Sequence, residues 1–298
     1  MPTIGFIGFG EAGSAIARGL IESGLGPITA YDIAYEKSGL VQSRAAELDV
    51  ELLPGPAHLA ATADVIFSAV VCTEALVAVR SLLPFLGPQH WLLDINSVSP
   101  GTKATAADLA RERGAHYVDV AVMSNVSSDL ARLPLLGAGP DADSLPGLLA
   151  GATLNYEVVS PSPGDAARIK MYRSLFVKGL EALALEAMMG SYAGGMHNRV
   201  LESLDVTFAK YSFSELVQQL IARHAVHGRR RADELEEVAQ TLSEVGVDPI
   251  MAEAGFARMS WDIERGLQDR FDHSEDPDWL AVLAELESLR HRGTVDDE

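Results

Sequence analysis

The chain is short of cysteine, of basic residues and of long apolar runs, and each shortage closes off a class of function. Its single cysteine, Cys72, cannot form an internal disulfide and rules out a metal site built on several cysteines. Cys72 is expected to be a buried thiol near a strand end rather than a nucleophile. Only 23 Lys and Arg stand against 42 Asp and Glu, a formal charge of −19. Nucleic-acid backbones are gripped by clustered cations, so this balance speaks against a nucleic-acid partner. The basic run at 229–231 lies among acids at helical spacing and reads as a solvated helix face. No stretch approaches the roughly 18 apolar residues of a membrane span. The apolar segment at residues 4–7 has no basic segment before it and is broken by glycine. It does not read as a signal peptide, so a cytoplasmic protein with no membrane partner is expected. His224 and His227 lack a His-Glu-x-x-His arrangement, and no metal is expected.

What is present is enough apolar material for a large core, 48% of 298 residues. In the first half, short β-like runs alternate with helical stretches. Strands are expected over residues 3–8, 27–32, 63–71, 91–95, 116–122 and 134–138. Helices are expected over 11–23, 36–48, 74–83 and 101–113. That rhythm implies a mainly parallel sheet covered on both faces. Ser-Pro-Ser-Pro-Gly at 160–164 then punctuates the chain, and nothing beyond it reads as a strand. Ile169, Tyr172, Phe176, Leu180, Leu183 and Ala187 recur at the spacing of one helix face. This stripe is expected to pack inward, against the first domain, a neighbouring subunit, or both. Further helices are expected near 200–210, 212–227, 231–245 and 249–267, and residues 294–298 are expected to fray. The fold class is therefore α/β. A Rossmann-type doubly wound sheet spans residues 1–162, and an all-α substrate and dimerisation domain spans 163–298.

Gly8-Phe9-Gly10-Glu11-Ala12-Gly13 joins an expected strand to an expected helix. Gly8 permits a tight turn, Gly10 lets backbone approach a pyrophosphate, and Gly13 lets helix and strand pack closely. The N–H groups at the helix start, at Glu11 and Ala12, then face the phosphates. Asp32 closes the next strand, where a carboxylate accepts from both ribose hydroxyls of NAD and repels the 2′-phosphate of NADP. NAD is the favoured cofactor. NADP stays open, since Lys37 or Arg44 could fold back toward a phosphate. Open α/β sheets bind ligands at the carboxyl ends of their strands. Val71 and Cys72 are therefore expected beside the cofactor. Asn96 and Ser97 are expected near ribose or substrate, and Ser124 and Asn125 at the substrate.

Several of these segments together resemble the β-hydroxyacid dehydrogenases, which include 3-hydroxyisobutyrate and 6-phosphogluconate dehydrogenases. Residues 4–13 are similar to their cofactor fingerprint. Asp94-Ile-Asn-Ser-Val-Ser-Pro100 resembles their D-x-S-T-x-x-P. Asp119-Val-Ala-Val-Met-Ser-Asn125 resembles their substrate motif D-A-P-V-S-G-G, and Gly164-x5-Lys170 their catalytic G-x5-K-x3-N. The segment from Lys170 to Gly179 looks like a less-studied, phosphogluconate-dehydrogenase-like branch. Two departures stand out. Ser174 replaces the family asparagine, and Met123, Ser124 and Asn125 replace a serine and paired glycines that grip a substrate carboxylate.

From spacing alone, Lys170, Ser174 and Lys178 form a polar helix row that any surface carries. The resemblance implies more. Lys170 would be the general acid/base of an NAD(P)-dependent hydride transfer on a small polar, often anionic, hydroxy acid or related alcohol/carbonyl. Ser174 would touch substrate or orient Lys170, Lys178 would hold an anionic group, and Arg231 would approach cofactor or substrate. A homodimer is implied as well. The rivals are an imine reductase, a related group that usually lacks the lysine, and a nucleotide-sensing protein without catalysis.

Overall fold

The computed structural model describes residues 2–271 and 276–292. The tail expected to fray, 294–298, lies outside the described residues. The chain divides into two compact units, the first through Phe176 and the second from Val177.

The first unit alternates strand and helix. β1 (Ile4–Ile7), α1 (Glu11–Glu22), β2 (Ile28–Tyr31), α2 (Gly39–Glu47), β3 (Glu51–Leu52) and α3 (Pro56–Thr62) come first. They are followed by β4 (Val65–Ser68), α4 (Ala75–Leu82), β5 (Trp91–Asp94), α5 (Pro100–Arg111) and β6 (His116–Val122). β7 (Pro134–Ala138), α6 (Leu145–Leu148) and β8 (Asn155–Ser160) complete the sheet. The order is β3-β2-β1-β4-β5-β6-β7-β8, with the β6–β7 pair antiparallel and the other pairs parallel. β1 bonds β2 on one side and β4 on the other, so connections leave it in both directions and open a crevice at their carboxyl ends.

Successive strand residues enter opposite apolar layers. Phe6, Phe67 and Leu93 join one cluster, and Ile7, Ile66 and Leu92 the other. A strand buried on both faces needs apolar residues at every position, which is why these segments read as runs rather than alternations. Ser99 caps α5 by accepting from Thr102 N at 3.2 Å. The sequence reading lacks β3, α3, α6 and β8. The first three are short, at 2, 7 and 4 residues, and β8 has no fully buried position to mark it.

The helices that follow are α7 (Asp165–Ala193), α8 (His197–Phe208), α9 (Phe213–Glu244), α10 (Ile250–Glu264), α11 (Leu267–Phe271) and α12 (Trp279–Arg292). The division between units falls within α7. In the second unit α10, α11 and α12 pack on α9, and α11 and α12 join it around Ala225, Leu267, Val282 and Leu289. The two helices expected over 212–227 and 231–245 are the two arms of α9, which meet at a non-helical His227 (φ −121°, ψ 16°). Ser212 and Glu215 form a reciprocal capping box that starts α9. Glu186 accepts from Met251 N (2.7 Å) and Ala252 N (3.0 Å), capping α10 from another helix. α11 and α12 also escaped the sequence reading, because α12 buries little more than Val282 and Leu289.

The apolar stripe of α7 is open in the single chain, with Tyr172 66% exposed and Phe176, Leu180 and Leu183 exposed too, which leaves the neighbouring subunit among its expected partners. One expectation needs correction. Cys72 is exposed rather than buried, because β4 ends at Ser68 and the chain turns outward into a short 3-10 turn at Cys72–Glu74.

Candidate active site

The glycine turn is built as its spacing requires. Gly8 sits at φ +89°, and a Cβ there would lie 2.4 Å from the Ala69 carbonyl oxygen. A Cβ on Gly13 would lie 2.5 Å from the Gly8 carbonyl oxygen. These two glycines let β1, β4 and α1 meet. Gly10 is different, since a Cβ there would have no neighbour within 4 Å. Its surroundings are open toward the crevice, which is the room a diphosphate needs. Gly10 also brings no side chain to cap α1, so the N–H groups at Glu11 and Ala12 stand at an uncapped helix start.

Asp32, just past β2, joins this turn. Its Oδ2 accepts from Phe9 N at 2.8 Å and its Oδ1 from Ala34 N at 2.8 Å. The carboxylate is thereby held still at the mouth of the crevice. A cavity of about 270 Å³ opens there, lined by Gly8, Gly10, Asp32, Ile33, Val71 and Val77 among others. Its walls are largely apolar, with Asp32 held fixed and Glu74 also in the lining. Such a cavity suits an adenosine, whose base would lie on aliphatic side chains and whose ribose hydroxyls would meet the Asp32 carboxylate. Cys72 follows Val71 in the chain and is exposed, outside the lining of this cavity. Lys37 is exposed and Arg44 half-buried on α2.

The next strand ends carry the other candidates. Ser97 is exposed beyond β5. Asn96 is buried: its Oδ1 accepts from Val70 N (2.7 Å) and its Nδ2 donates to Ser68 Oγ (2.8 Å). The amide thus braces β5 against the end of β4. Ser124 and Asn125 are both exposed just beyond β6.

Beneath these ends lies a polar cluster that sequence reasoning missed. Lys103, on α5, is fully buried. Its Nζ donates to Asp94 O (2.6 Å) and faces Asp94 Oδ1 (2.9 Å) and Asp119 Oδ1 (3.2 Å). Tyr117 donates its hydroxyl to Asp94 Oδ2 at 2.8 Å. Burial, with Asp94 and Asp119 adding, pushes the Tyr117 phenol well above its usual range, so it stays a donor. Removing one partner of a buried ionic set costs about 3–5 kcal/mol, because it strands a charge. The available signal was a lysine three residues after a helix-starting proline, and that pattern alone resembles any polar helix turn.

Asp119 also reaches α7. Its Oδ2 accepts from Gly164 N (3.1 Å) and Ala167 N (3.0 Å). Gly164 sits at φ +101°, and a Cβ there would lie 2.7 Å from the Pro100 carbonyl oxygen. Only glycine lets α7 begin this close to the start of α5. Lys170 and Ser174, both half-buried, follow on α7, while Lys178 is exposed. Arg231 is half-buried on α9. Among the described residues no group of His, Cys, Asp and Glu is arranged to hold a metal ion, and no helix is long and apolar enough to cross a membrane.

Comparison with known proteins agrees with this geometry. Residues 3–136 match the NAD binding domain of 6-phosphogluconate dehydrogenase, and residues 192–261 match a domain of unknown function, DUF1932. A conserved hypothetical protein from Sinorhizobium meliloti 1021 is 33% identical, with 96% of each chain covered and a TM-score of 0.57. A conserved protein of unknown function, described as structurally similar to 3-hydroxyacid dehydrogenases, is 30% identical. That match covers 89% of this chain and 99% of the other, with a TM-score of 0.57. An imine reductase from Myxococcus stipitatus in complex with NADP+ shares the fold alone, at 18% identity and a TM-score of 0.71, over 90% of this chain and 96% of its own. The glycine turn thus belongs to an NAD(P)-binding domain, and the chain is a member of the β-hydroxyacid dehydrogenase family, in its 6-phosphogluconate dehydrogenase-like part.

Proposed function

We propose that this chain is a dehydrogenase or reductase that moves a hydride between NAD(P) and a small polar hydroxy acid or related alcohol/carbonyl. One observation carries the reading: Asp119, at the sheet, holds the first turn of the helix that bears Lys170. The same unit carries the dinucleotide crevice. When bound, the nicotinamide supplies the hydride acceptor or donor. The chain supplies the rest. Asp32 and the glycine turn hold the nucleotide end, and Val71, Cys72 and Ser97 border it. Lys170 takes the hydroxyl proton in oxidation and returns it in reduction, a role that contributes about 10²- to 10⁴-fold. Ser124, Asn125, Ser174 and Lys178 offer hydroxyls, an amide and a cation to a polar, anionic substrate, and Asn96 braces the turn that carries Ser97. Asp32 favours NAD over NADP by repelling a 2′-phosphate.

The exposed apolar stripe of α7 supports a homodimer, in which a second copy covers it. This reading keeps the sheet domain at 1–162 and the helical domain at 163–298, with the first part of α7, residues 165–176, grouped with the sheet unit. A cytoplasmic location suits the reading.

A substrate panel of hydroxy acids and cyclic imines, run with both cofactors and read by absorbance of the reduced nicotinamide, tests this. Alcohol oxidation without imine turnover is expected. Imine turnover alone would favour the reductase of C=N bonds, and tight cofactor binding without any turnover would favour a sensor. Lys170→Ala should lower kcat by about 10²- to 10⁴-fold with cofactor affinity unchanged. Retained turnover in that variant sinks the acid/base assignment.

A further inference from the structure

We propose that Lys103 is a positioning residue: it holds Asp119, Asp119 holds the first turn of α7, and that turn sets the place of Lys170. The inference rests on Lys170 being the acid/base.

The argument starts at the helix end. The first N–H groups of a helix have no partner within it. Gly164, just before α7, has no side chain to offer. Two of these groups, Gly164 N and Ala167 N, are taken by one oxygen of Asp119, which lies 45 residues or more away in sequence. A carboxylate that caps a helix from a neighbouring strand must be held in one orientation to do so. Its second oxygen faces Lys103 Nζ at 3.2 Å. Lys103 is itself fixed, with contacts to the carbonyl and the carboxylate of Asp94. Asp94 in turn accepts from Tyr117 and from Asn96 N (2.9 Å). The chain of contacts therefore runs from α5 through β5 and β6 to the start of α7.

Stability alone does not call for an ammonium here. An apolar side chain of similar volume often serves a buried ionic site as well or better once the carboxylates are also replaced. What the ammonium contributes is a fixed charge: its 3.2 Å ion pair with Asp119 Oδ1, an oxygen that makes no hydrogen bond among the described residues, draws that oxygen toward α5 and leaves Oδ2 for the two N–H groups. Lys170 comes one turn after Ala167, so a tilt of the first turn displaces it. Displacement of a catalytic group by about 1 Å costs on the order of 10²-fold in rate.

The test compares Lys103→Met and Asp119→Asn with the wild-type full chain. Asp119→Asn leaves Lys103 paired with Asp94, so it strands no charge and carries the test if Lys103→Met does not fold. Amide hydrogen exchange at residues 164–170 is expected to accelerate at least tenfold in either variant, with residues 8–20 unchanged. With a substrate from the panel, kcat is expected to fall at least tenfold while KM for the cofactor stays within twofold. Unchanged exchange at 164–170 overturns the proposal, as does equal acceleration throughout the first unit. A loosened helix start with wild-type kcat overturns it too. The exchange arm needs no turnover, so failure of this inference is separable from failure of Lys170 as acid/base, which Lys170→Ala reads.

Discussion

The two units spend their side chains differently. In the first, large apolar residues from every central strand are buried on both faces of the sheet, and the polar strand ends are linked through Asn96, Asp94, Lys103 and Asp119. In the second, the core cluster is Ala225, Leu267, Val282 and Leu289, while Leu180, Leu183, Leu201 and Leu204 stay exposed. The sheet unit completes its own core. The helical unit displays apolar surface that one chain does not cover. In the function proposed above, binding chemistry sits on the unit whose parts are locked, as preorganisation requires, and association would fall to the unit whose parts are not.

The comparison can be broken first at the helical unit. Leu180→Glu with Leu183→Glu should turn a dimer into a monomer in light scattering, by about 3–5 kcal/mol if both acids would be buried unpaired. Circular dichroism should not change. A monomeric wild type would remove the homodimer from the proposed function.

Next comes the glycine turn, where two neighbouring positions should behave oppositely. Gly8→Ala forces a side chain at φ +89° against the Ala69 carbonyl and should cost about 3 kcal/mol or more in urea unfolding. Gly10→Ala meets open space, and should cost less than about 1 kcal/mol. It should nevertheless weaken cofactor binding at least tenfold. If both variants lost stability equally, the turn would be a folding feature and not a phosphate cradle.

A smaller effect is expected at Asp32. Asp32→Asn keeps a carbonyl oxygen for Phe9 N or Ala34 N but removes the charge. The preference for NAD over NADP should fall about tenfold, or about 1.4 kcal/mol, in paired titrations. No change in the ratio would place cofactor choice elsewhere.

The smallest effect concerns pH. The backbone N–H of Thr3, then its hydroxyl, hold the Asp64 carboxyl below its ordinary value of 3.8. A depressed folded value gives stability that is present above the unfolded value and lost as pH falls through the folded one. Asp64→Asn should therefore narrow the gap between urea midpoints at neutral pH and near pH 3. An unaltered gap would show that these bonds do not steady the start of the sheet.

Some of this was legible beforehand because it is local. Gly8, Gly13 and Gly164 stand where only glycine fits, so the demand of the backbone is visible as residue identity. The resemblance around Asp119 and Lys170 also drew attention to two segments that the structure joins through Asp119 Oδ2. Other features were hidden because their partners lie far off in sequence. Lys103 reads as a solvated helix residue until Asp119 closes on it. Nothing local to Asn96 announces that its amide bonds Val70 N and Ser68 Oγ, and Cys72 looks like core until β4 stops at Ser68.

By itself, then, the sequence determined the strand–helix rhythm, the dinucleotide turn and the family, because each depends on short-range periodicity or on steric limits within a few residues. Only the tertiary structure decided which polar groups are buried together and which apolar face is left uncovered. Those outcomes depend on distances between elements, and single residues carry no record of them.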